Sequence, residues 1–479
     1  MSSKTDTPDD TSPTPTDCET RWRNASSEMR EAFSIFLAHL DERSNVRSAE
    51  ALESFELDAR VRVDDVLAVG MAQALTKIIA SPELRQDAAE LVRNLPTRMR
   101  NEGMVPVRIL TSRGAEVSVK TPYFLPKGSA GRRKRRGIYP ALVLLGIHDH
   151  CTPMLSSTVS RSVAMLGSLS EAQAHLATES IELDVKTVRN IAYRFSARAR
   201  AAQKAGCFPM GPNVHGRRVV VSFDGGRIRV RRKKRGPRTK KNRCRFHTGW
   251  REPKLLILYV VGDDGRPLQS WAPIIDGTLR GPDAVVALLI SYAQQVQLNA
   301  ADKVLFIADG APWIWNRLAT IISSVGLRPD QVLTLIDFYH AVQHLVAAVA
   351  LRSWSAKRRK RWLNANRSLL RHGGVDRVIA ALRALCKGRN AGKLRTQLMY
   401  FVDNLKNFAY DTADQLKLPR GSGAMESAIR RVVNLRIQGA SIYWLEDSAE
   451  AILLLRSFYK SNRWMCLQRM ATSTAAFTQ

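Results

Sequence analysis

The chain has 479 residues, 45% of them hydrophobic and 24% charged, which describes a globular protein too long for one ordinary core. Lys and Arg number 74 against 43 Asp and Glu, giving a formal net charge of +31. Such an excess favours nucleic acid as the partner, because each neutralised phosphate releases condensed counterions. The alternative for so basic a chain is a ribosome- or membrane-associated protein.

Several other classes of protein are disfavoured by the sequence. The six cysteines are scattered without a Cys-x-x-Cys pair, which argues against a disulfide framework and a four-cysteine zinc site, so no zinc is predicted. No apolar run reaches the roughly 18 residues that span a bilayer, and we expect no membrane partner. Residues 1–20 are rich in Ser, Thr, Pro and Asp, which predicts a disordered tail rather than a signal peptide and hence a cytoplasmic protein.

The segment that follows the tail predicts helices and then a hairpin. Apolar residues recur at three- and four-residue spacing over 21–101, which indicates an N-terminal helical domain. Two alternating runs around Ser112-Arg113-Gly114 predict a β-hairpin over 102–126. The hairpin is followed by a basic linker, 127–137, for which a solvated loop and a phosphate contact are both open.

Region 127–210 resembles a helix-turn-helix. A helical segment beginning near Ser170 and a second beginning at Lys186 are joined by a short turn at 182–185. Helices joined by short turns are common, but the second helix here has a basic face that favours DNA binding. That face comprises Lys186, Arg189, Arg194, Arg198 and Arg200.

Strand signals dominate residues 211–345, in the order strand, strand, strand, helix, strand, helix, strand. This order is that of a ribonuclease H-like core, in which two acids lie on adjacent central strands. Residues 346–416 are basic and helical without strand signals, and they predict an all-helical insertion. Residues 417–479 return to the core with a glutamate-bearing helix and a C-terminal helix. The predicted fold class is therefore α+β or α/β.

Three acidic residues stand where strands or helices would hold them still. Asp224 and Asp309 each end an apolar run and precede a glycine, and Glu426 opens a helical segment. Three carboxylates suffice for two Mg²⁺ ions, or Mn²⁺ as a substitute, lying about 3.5–4 Å apart for phosphodiester chemistry. An aspartate after a strand is by itself more often a turn residue. The combination with the strand order and the charge favours the metal site.

Three motifs carry a family resemblance. They are 307–314 (IADGAPWI), 335–345 (LIDFYHAVQHL) and 421–427 (GSGAMES), with Arg436 and Trp444 beyond. Across roughly Val105 to Arg456 the chain resembles bacterial insertion-sequence transposases of the DDE class, related to Mutator-like elements. The resemblance implies that Asp224, Asp309 and Glu426 are the catalytic, metal-binding triad. It also implies that Asp337 and His340 line the site, although an aspartate capping a helix with a locally packed histidine is the alternative.

Further residues are predicted to contact DNA. The basic segment Arg227–Arg245 is expected to follow the DNA backbone, and the helix of Glu426 to present donors beside the carboxylate. Trp444, with Tyr443, is expected to line the site and stack on a frayed base, core packing being the alternative. The candidate DNA-binding residues are Lys186, Arg189, Arg231, Arg232, Lys233, Lys234, Arg430, Arg431, Asn434 and Arg436.

The resulting hypothesis is a DNA transposase that cleaves transposon ends and transfers the freed 3′-OH to target DNA. Its partners would be the double-stranded DNA of terminal inverted repeats and of the target. It would act as a homodimer or higher oligomer on the bacterial nucleoid. Two alternatives are a catalytically silent, sequence-specific DNA-binding protein and a structure-selective nuclease of the same fold.

Overall fold

The computed structural model describes residues 26–42, 46–127, 137–209, 211–240, 242 and 244–476. The expected disordered tail, 1–20, and most of the basic linker, 128–136, lie outside these residues. The protein is a mixed α+β protein with 55% helix and 17% strand, and its largest sheet combines parallel and antiparallel strands. Within the described ranges, no helix has both the length and the apolar character that crossing a membrane requires.

The elements are numbered here in chain order. The strands are β1 (Met99–Leu110), β2 (Glu116–Pro126), β3 (Arg218–Gly225), β4 (Ile228–Lys233), β5 (Phe246–Arg251), β6 (Lys254–Val261), β7 (Ile274–Thr278), β8 (Lys303–Ala308) and β9 (Val332–Ile336). The helices of the first half are α1 (Ser27–Glu42), α2 (Ala49–Ala80), α3 (Pro82–Arg93), α4 (Pro140–Leu144), α5 (Pro153–Met165), α6 (Leu169–Thr178) and α7 (Val185–Lys204). Those of the second half are α8 (Pro282–Gln295), α9 (Pro312–Trp315), α10 (Leu318–Val325), α11 (Phe338–Ala350), α12 (Ala356–Arg371), α13 (Val375–Leu385), α14 (Ala391–Asp403), α15 (Tyr410–Gln415), α16 (Gly423–Ile429), α17 (Glu446–Lys460) and α18 (Trp464–Thr472).

The chain forms two compact units. The first contains the described residues up to Thr158 together with Gln173–Asp184, and the second contains Val159–Ala172 and Val185–Ala476. The boundaries fall within the predicted helix-turn-helix region, so its first helix, α6, is divided between the units. The strand-end acids and Glu426 all belong to the second unit.

The first unit contains the predicted hairpin. Strands β1 and β2 pair antiparallel around the turn 111–115, which confirms the hairpin and places its start at Met99, three residues earlier than expected. Alternate residues of the strands are buried against the last turns of α2, where Leu75 and Ile79 join the core. The period of two along the strands accounts for this one-sided burial.

The second unit is built on a five-stranded sheet in the order β7-β6-β3-β8-β9. Strands β3, β8 and β9 run parallel, while β6 is antiparallel to β3 and to β7. Strand β6 is buried over its full length, as the apolar run from Leu255 to Val261 predicts; the buried Lys254 at its start pairs with Glu252. After β6 the chain turns back at Pro267, which bridges to Val261, and regular pairing with β6 begins only at Ile274.

The chain between β9 and Glu426 is helical. Helices α12 to α15 occupy most of the predicted insertion, 346–416, and α11 leads into it. Helix α16 follows and packs against β3 and β6, and a π-helical turn, Arg430–Asn434, continues it. Helix α17 packs against β7 and α7, so the C-terminal segment covers the sheet.

Candidate active site

Asp224 is held at the end of a fully buried strand. Val219, Val220 and Val221 have no exposed surface, because β3 is central in the sheet and covered on both faces. The Asp224 carboxylate accepts a hydrogen bond of 2.6 Å from the backbone N–H of Gly225. Its side chain is half-buried, so it combines rigid placement with access from the sheet edge.

Asp309 occupies the matching place after β8. Its carboxylate accepts from the N–H of Ala311 at 3.1 Å, and its carbonyl oxygen accepts from the Trp315 indole at 2.7 Å. Pro312 begins α9 immediately after this turn, where its missing N–H has no cost. The sequence from 309 to 315 therefore fixes the orientation of one carboxylate.

The strand register places three aspartates in one row. Ser222 pairs with Ile307 in the parallel β3–β8 ladder, so two residues further on Asp224 stands opposite Asp309. Ala308 pairs with Ile336 in the β8–β9 ladder, so Asp309 in turn stands opposite Asp337. Neighbouring strands lie about 4.8 Å apart. The carboxyl ends of three adjacent parallel strands thus present one carboxylate each, at the edge of the sheet where α/β proteins bind ligands.

The charges of this row interact. Burial raises the pKa of Asp224 to about 6, the N–H of Gly225 opposes the rise, and the negative charge of Asp309 adds to it. His340, on the first turn of α11, lowers the pKa of Asp224, so its imidazole lies within electrostatic range of the acid pair. Because the negative charge of Asp309 adds to the proton affinity of Asp224, a cation between the two carboxylates would be favoured.

Asp224 and Asp309 therefore fit a hard divalent cation, for which carboxylate oxygens are the preferred ligands. Glu426 is exposed on the first turn of α16, which packs on the acid-bearing strand β3. In the described part of the chain, no three His, Cys, Asp or Glu side chains converge closely enough to hold a metal ion. The structure thus brings two acids of the predicted triad together and leaves Glu426 apart from them.

The third aspartate of the row forms a clamp. Asp337 has no exposed surface, and one of its oxygens accepts from the N–H groups of Tyr339 and His340, which caps α11. The other oxygen accepts from the backbone N–H of Ser422 at 2.5 Å and from its hydroxyl at 2.6 Å. Ser422 immediately precedes α16, so Asp337 fixes the start of the helix that carries Glu426.

The clamp shows that Asp337 and His340 have different roles. The capping alternative describes Asp337 correctly, but the capping carboxylate has a second, long-range partner in Ser422. With four donors around it, Asp337 has no lone pair directed towards a metal ion. His340 is half-buried, and its charge lowers the pKa of Asp224, as expected for a residue that lines the site.

Two residues that the motifs do not reveal stand beside the acids. Tyr400, on α14, packs against Gly310 so closely that a Cβ at Gly310 would overlap its ring. Its ring also stacks on His344 with centroids 3.6 Å apart. Glu252 covers Gly225 in the same way, and its charge raises the pKa of Asp224. The chain's own side chains therefore occupy the space beside both glycines.

The candidate DNA-binding residues divide into surface and interior groups. Lys186 and Arg189 are exposed near the start of α7, and the cations from Arg231 to Lys234 are exposed along and just after β4. Arg430 and Asn434 are exposed in the π-helical turn. Arg431 is half-buried, and its guanidinium donates to the carbonyl oxygens of Ser427 and Lys460. Some of its N–H groups are therefore already bonded within the protein.

Two of the predicted site residues are interior. The guanidinium of Arg436 donates to the carbonyl of Leu166 at 2.8 Å, and burial lowers its pKa. It lies 5.3 Å from the ring centroid of Trp444, which is itself buried and donates to Ile437. Neither side chain is exposed as DNA contact or base stacking would require. Core packing, the alternative for Trp444, describes that ring, and Arg436 is buried beside it rather than on a solvated face.

The basic face of α7 is also smaller than expected. Arg200 forms a two-pronged ion pair with the fully buried Asp276, at 2.7 and 3.0 Å, and Tyr292 donates to the same carboxylate. Arg198 donates to the carbonyl of Ala471. The apolar face of the helix is buried in the core, which draws these two arginines inward and leaves Lys186 and Arg189 outside.

Comparison of the chain with protein-family models, curated proteins and solved structures finds no match. The strand-edge carboxylates and the basic surfaces therefore carry the functional interpretation by themselves.

Proposed function

We propose that the chain is a DNA transposase with a ribonuclease H-like core. The observation that carries the proposal is the pairing of Asp224 with Asp309 at the carboxyl ends of two central, neighbouring, parallel strands. An arrangement of this kind is expected of a ribonuclease H-like core, and the helices between β9 and α16 agree with an inserted helical domain.

The acid pair supports phosphodiester chemistry of the two-metal type. Bound Mg²⁺ or Mn²⁺ would stabilise both the attacking and the leaving oxygen of an in-line displacement. Asp224 and Asp309 would hold the ions. Glu426, which lies apart from them in this conformation, would complete the site by approaching from α16. His340 would lie beside the ions, since its imidazole is within electrostatic range of Asp224. Asp337 positions α16 through Ser422 and takes no part in binding ions.

The distribution of charge supports DNA as the substrate. The exposed cations of β4 and of the π-helical turn belong to the same unit as the acid pair. A cleft of about 870 Å³ also opens beside α12 and the segment 417–424, and four of the residues that line it are cationic. These are Arg367, Arg371, Lys417 and Arg420. The three acids do not line this cleft, so it suits a stretch of backbone next to the reacting phosphate.

The test is strand cleavage and strand transfer on oligonucleotides that carry the inverted repeats flanking the coding region, with Mg²⁺ or Mn²⁺. Asp224→Asn, Asp309→Asn and Glu426→Gln are each expected to lower cleavage by more than about 100-fold, beyond the usual cost of losing an outer-shell partner. The matched control is Asp302→Asn, an exposed acid at the opposite end of β8, which should cleave normally.

The outcomes separate the alternatives. Cleavage without joining of the 3′-OH to target DNA would identify a structure-selective nuclease. Specific binding without cleavage by the unmodified chain would identify a silent DNA-binding protein. Cleavage that survives substitution of both Asp224 and Asp309 would remove the acid pair from the mechanism.

A further inference from the structure

The basic insertion after Asp224 is a two-stranded hairpin with two different faces. In the β4–β5 ladder Ile228 pairs with Arg251 and Val230 with Gly249, and the side chains of Ile228 and Val230 are buried. The residues between them point to the other side, because successive side chains alternate across a strand. This outward face, the aromatic–arginine ladder, comprises Arg229, Arg231 and Lys233 on β4 and Trp250, Thr248 and Phe246 on β5.

The ladder exposes aromatic rings that cations hold in place. Trp250 is 52% exposed and Phe246 is 43% exposed. The Arg229 guanidinium lies 5.7 Å from the Trp250 ring centroid, and that of Arg231 lies 5.7 Å from Phe246. Arg227 lies 4.7 Å from Trp250 on the same side of the hairpin. Distances below about 6 Å are those of cation–π pairs, which fix the rings while leaving them accessible.

The hairpin is anchored next to the acid pair. Only three residues, Gly225, Gly226 and Arg227, separate Asp224 from β4, and β5 ends just before Glu252. Arg231 donates its backbone N–H to the carbonyl of Trp444, so the chain after α16 lies along the outer edge of β4 and also anchors the hairpin. A strand bound along the ladder would therefore lead directly to the carboxylates.

The charge of the segment selects the kind of partner. Thirteen of the 25 residues from 227 to 251 are Lys or Arg, and none is Asp or Glu. An open cleft of about 860 Å³ adjoins the ladder and is lined by Arg231, Lys233, Lys234, Arg245 and Phe246, among others. A polyanion that also offers flat apolar faces satisfies both the cations and the rings.

We infer that the aromatic–arginine ladder binds unpaired nucleotides of single-stranded DNA, whose bases stack on Trp250 and Phe246. Bases within a duplex show only their edges in the grooves, whereas unpaired bases expose the faces that aromatic side chains need. The two rings are four residues apart, or about 13 Å along β5, so they engage separate bases while Arg231 and Lys233 meet the phosphates. Arg229 instead donates to the carbonyl of Gly439 and holds the Trp250 ring in place. This inference rests on the proposed function and deepens it, since it assigns strand separation near the cut to the hairpin.

The experiment measures binding by the full chain in EDTA, so that cleavage cannot contribute. The probes are fluorescein-labelled oligo-dT and a duplex of mixed sequence and equal length. Trp250→Ala is expected to weaken oligo-dT binding by about 5- to 150-fold, the range for one stacked base, with less than about 2-fold change for the duplex. Trp250→Phe keeps a ring and should retain most of the binding.

Controls separate stacking from charge and from misfolding. Trp354→Ala removes a tryptophan that is paired with Arg358 at 4.4 Å on another part of the unit, and it should leave oligo-dT binding unchanged. Arg231→Gln should weaken both probes and reduce the salt slope by about 0.7 to 0.9. The melting temperature of each variant shows whether the fold is retained.

Three results would overturn the inference: equal loss of oligo-dT and duplex binding in Trp250→Ala, no loss of either, or tighter binding of oligo-U RNA than of oligo-dT. The proposed function fails separately. If stacking is lost but cleavage is intact, only the role of the ladder in cleavage is refuted. If oligo-dT binding is normal but no metal-dependent cleavage occurs, only the proposed nuclease chemistry is refuted.

Discussion

The clamp between Asp337 and Ser422 leads to the most specific prediction about catalysis. Ser422→Ala removes one hydrogen bond, 2.6 Å long, from a carboxylate with no exposed surface. A hydrogen bond to a charged group contributes about 1.5–3 kcal/mol, and the N–H of Ser422 remains as a donor. We therefore expect the free energy of unfolding to fall by about 2 kcal/mol.

The same change should reduce catalysis beyond its effect on stability. Ser422 precedes the helix of Glu426, and a misplacement of about 1 Å in a catalytic group costs up to roughly 100-fold in rate. Cleavage should therefore slow at a temperature at which the variant is fully folded, while oligo-dT binding in EDTA stays unchanged. Ser422→Thr, which keeps the hydroxyl, should restore most of the rate.

Urea unfolding and single-turnover cleavage measure the two effects. The control is Ser323→Ala, which removes a hydroxyl from the exposed surface of α10 and should change neither quantity. If Ser422→Ala unfolds and cleaves like Ser323→Ala, the clamp does not position Glu426 and the reasoning is refuted.

Two further predictions concern single charges. Asp224→Asn should stabilise the metal-free chain by about 3 kcal/mol near pH 8, because a pKa of about 6 against 3.8 means that ionisation is unfavourable in the fold. The folded chain keeps this proton where the unfolded chain has lost it, so the stability of the unmodified chain relative to the variant should fall as pH rises from about 4 to about 6. Urea unfolding of both proteins in EDTA would show this, and a difference independent of pH would contradict it. Arg436→Ala should lower the unfolding free energy by about 1–3 kcal/mol, since it leaves the part-buried carbonyl of Leu166 without its donor. The dependence of DNA binding on salt concentration should have the same slope as in the unmodified chain. A lower slope would show that Arg436 does contact DNA.

Much of the strand-edge arrangement follows from local sequence. The apolar runs before Asp224 and Asp309 predict buried strands, both of which the structure has. Gly225, after the first of these acids, still belongs to β3 and pairs with Lys254. The hairpin β4–β5 was less visible. Ile228 and Val230 do alternate with cations, but the density of Lys and Arg suggested only a basic segment. Alternation with charge on the outward side is the ordinary pattern of a strand with one solvated face.

Long-range contacts account for what the sequence did not indicate. Asp337 and Ser422 are 85 residues apart, and neither motif alone shows that Ser422 donates to the Asp337 carboxylate. Arg436 resembles a surface cation until the carbonyl of Leu166, 270 positions away in the chain, is placed beside it. A side chain's burial depends on which distant segment covers it, and neither periodicity nor composition specifies that segment.

The Asp337 clamp has a consequence for how the helical insertion relates to the sheet. The clamp joins the chain just before the insertion to the chain just after it, and Tyr410 adds a second tie by donating to the carbonyl of Ile336 at 2.9 Å. The insertion is therefore a loop whose two ends meet at one fixed point. Closing a flexible loop of twice the length costs only about 0.6 kcal/mol more. Helices could be added to or removed from this loop over evolutionary time while Glu426 keeps its place.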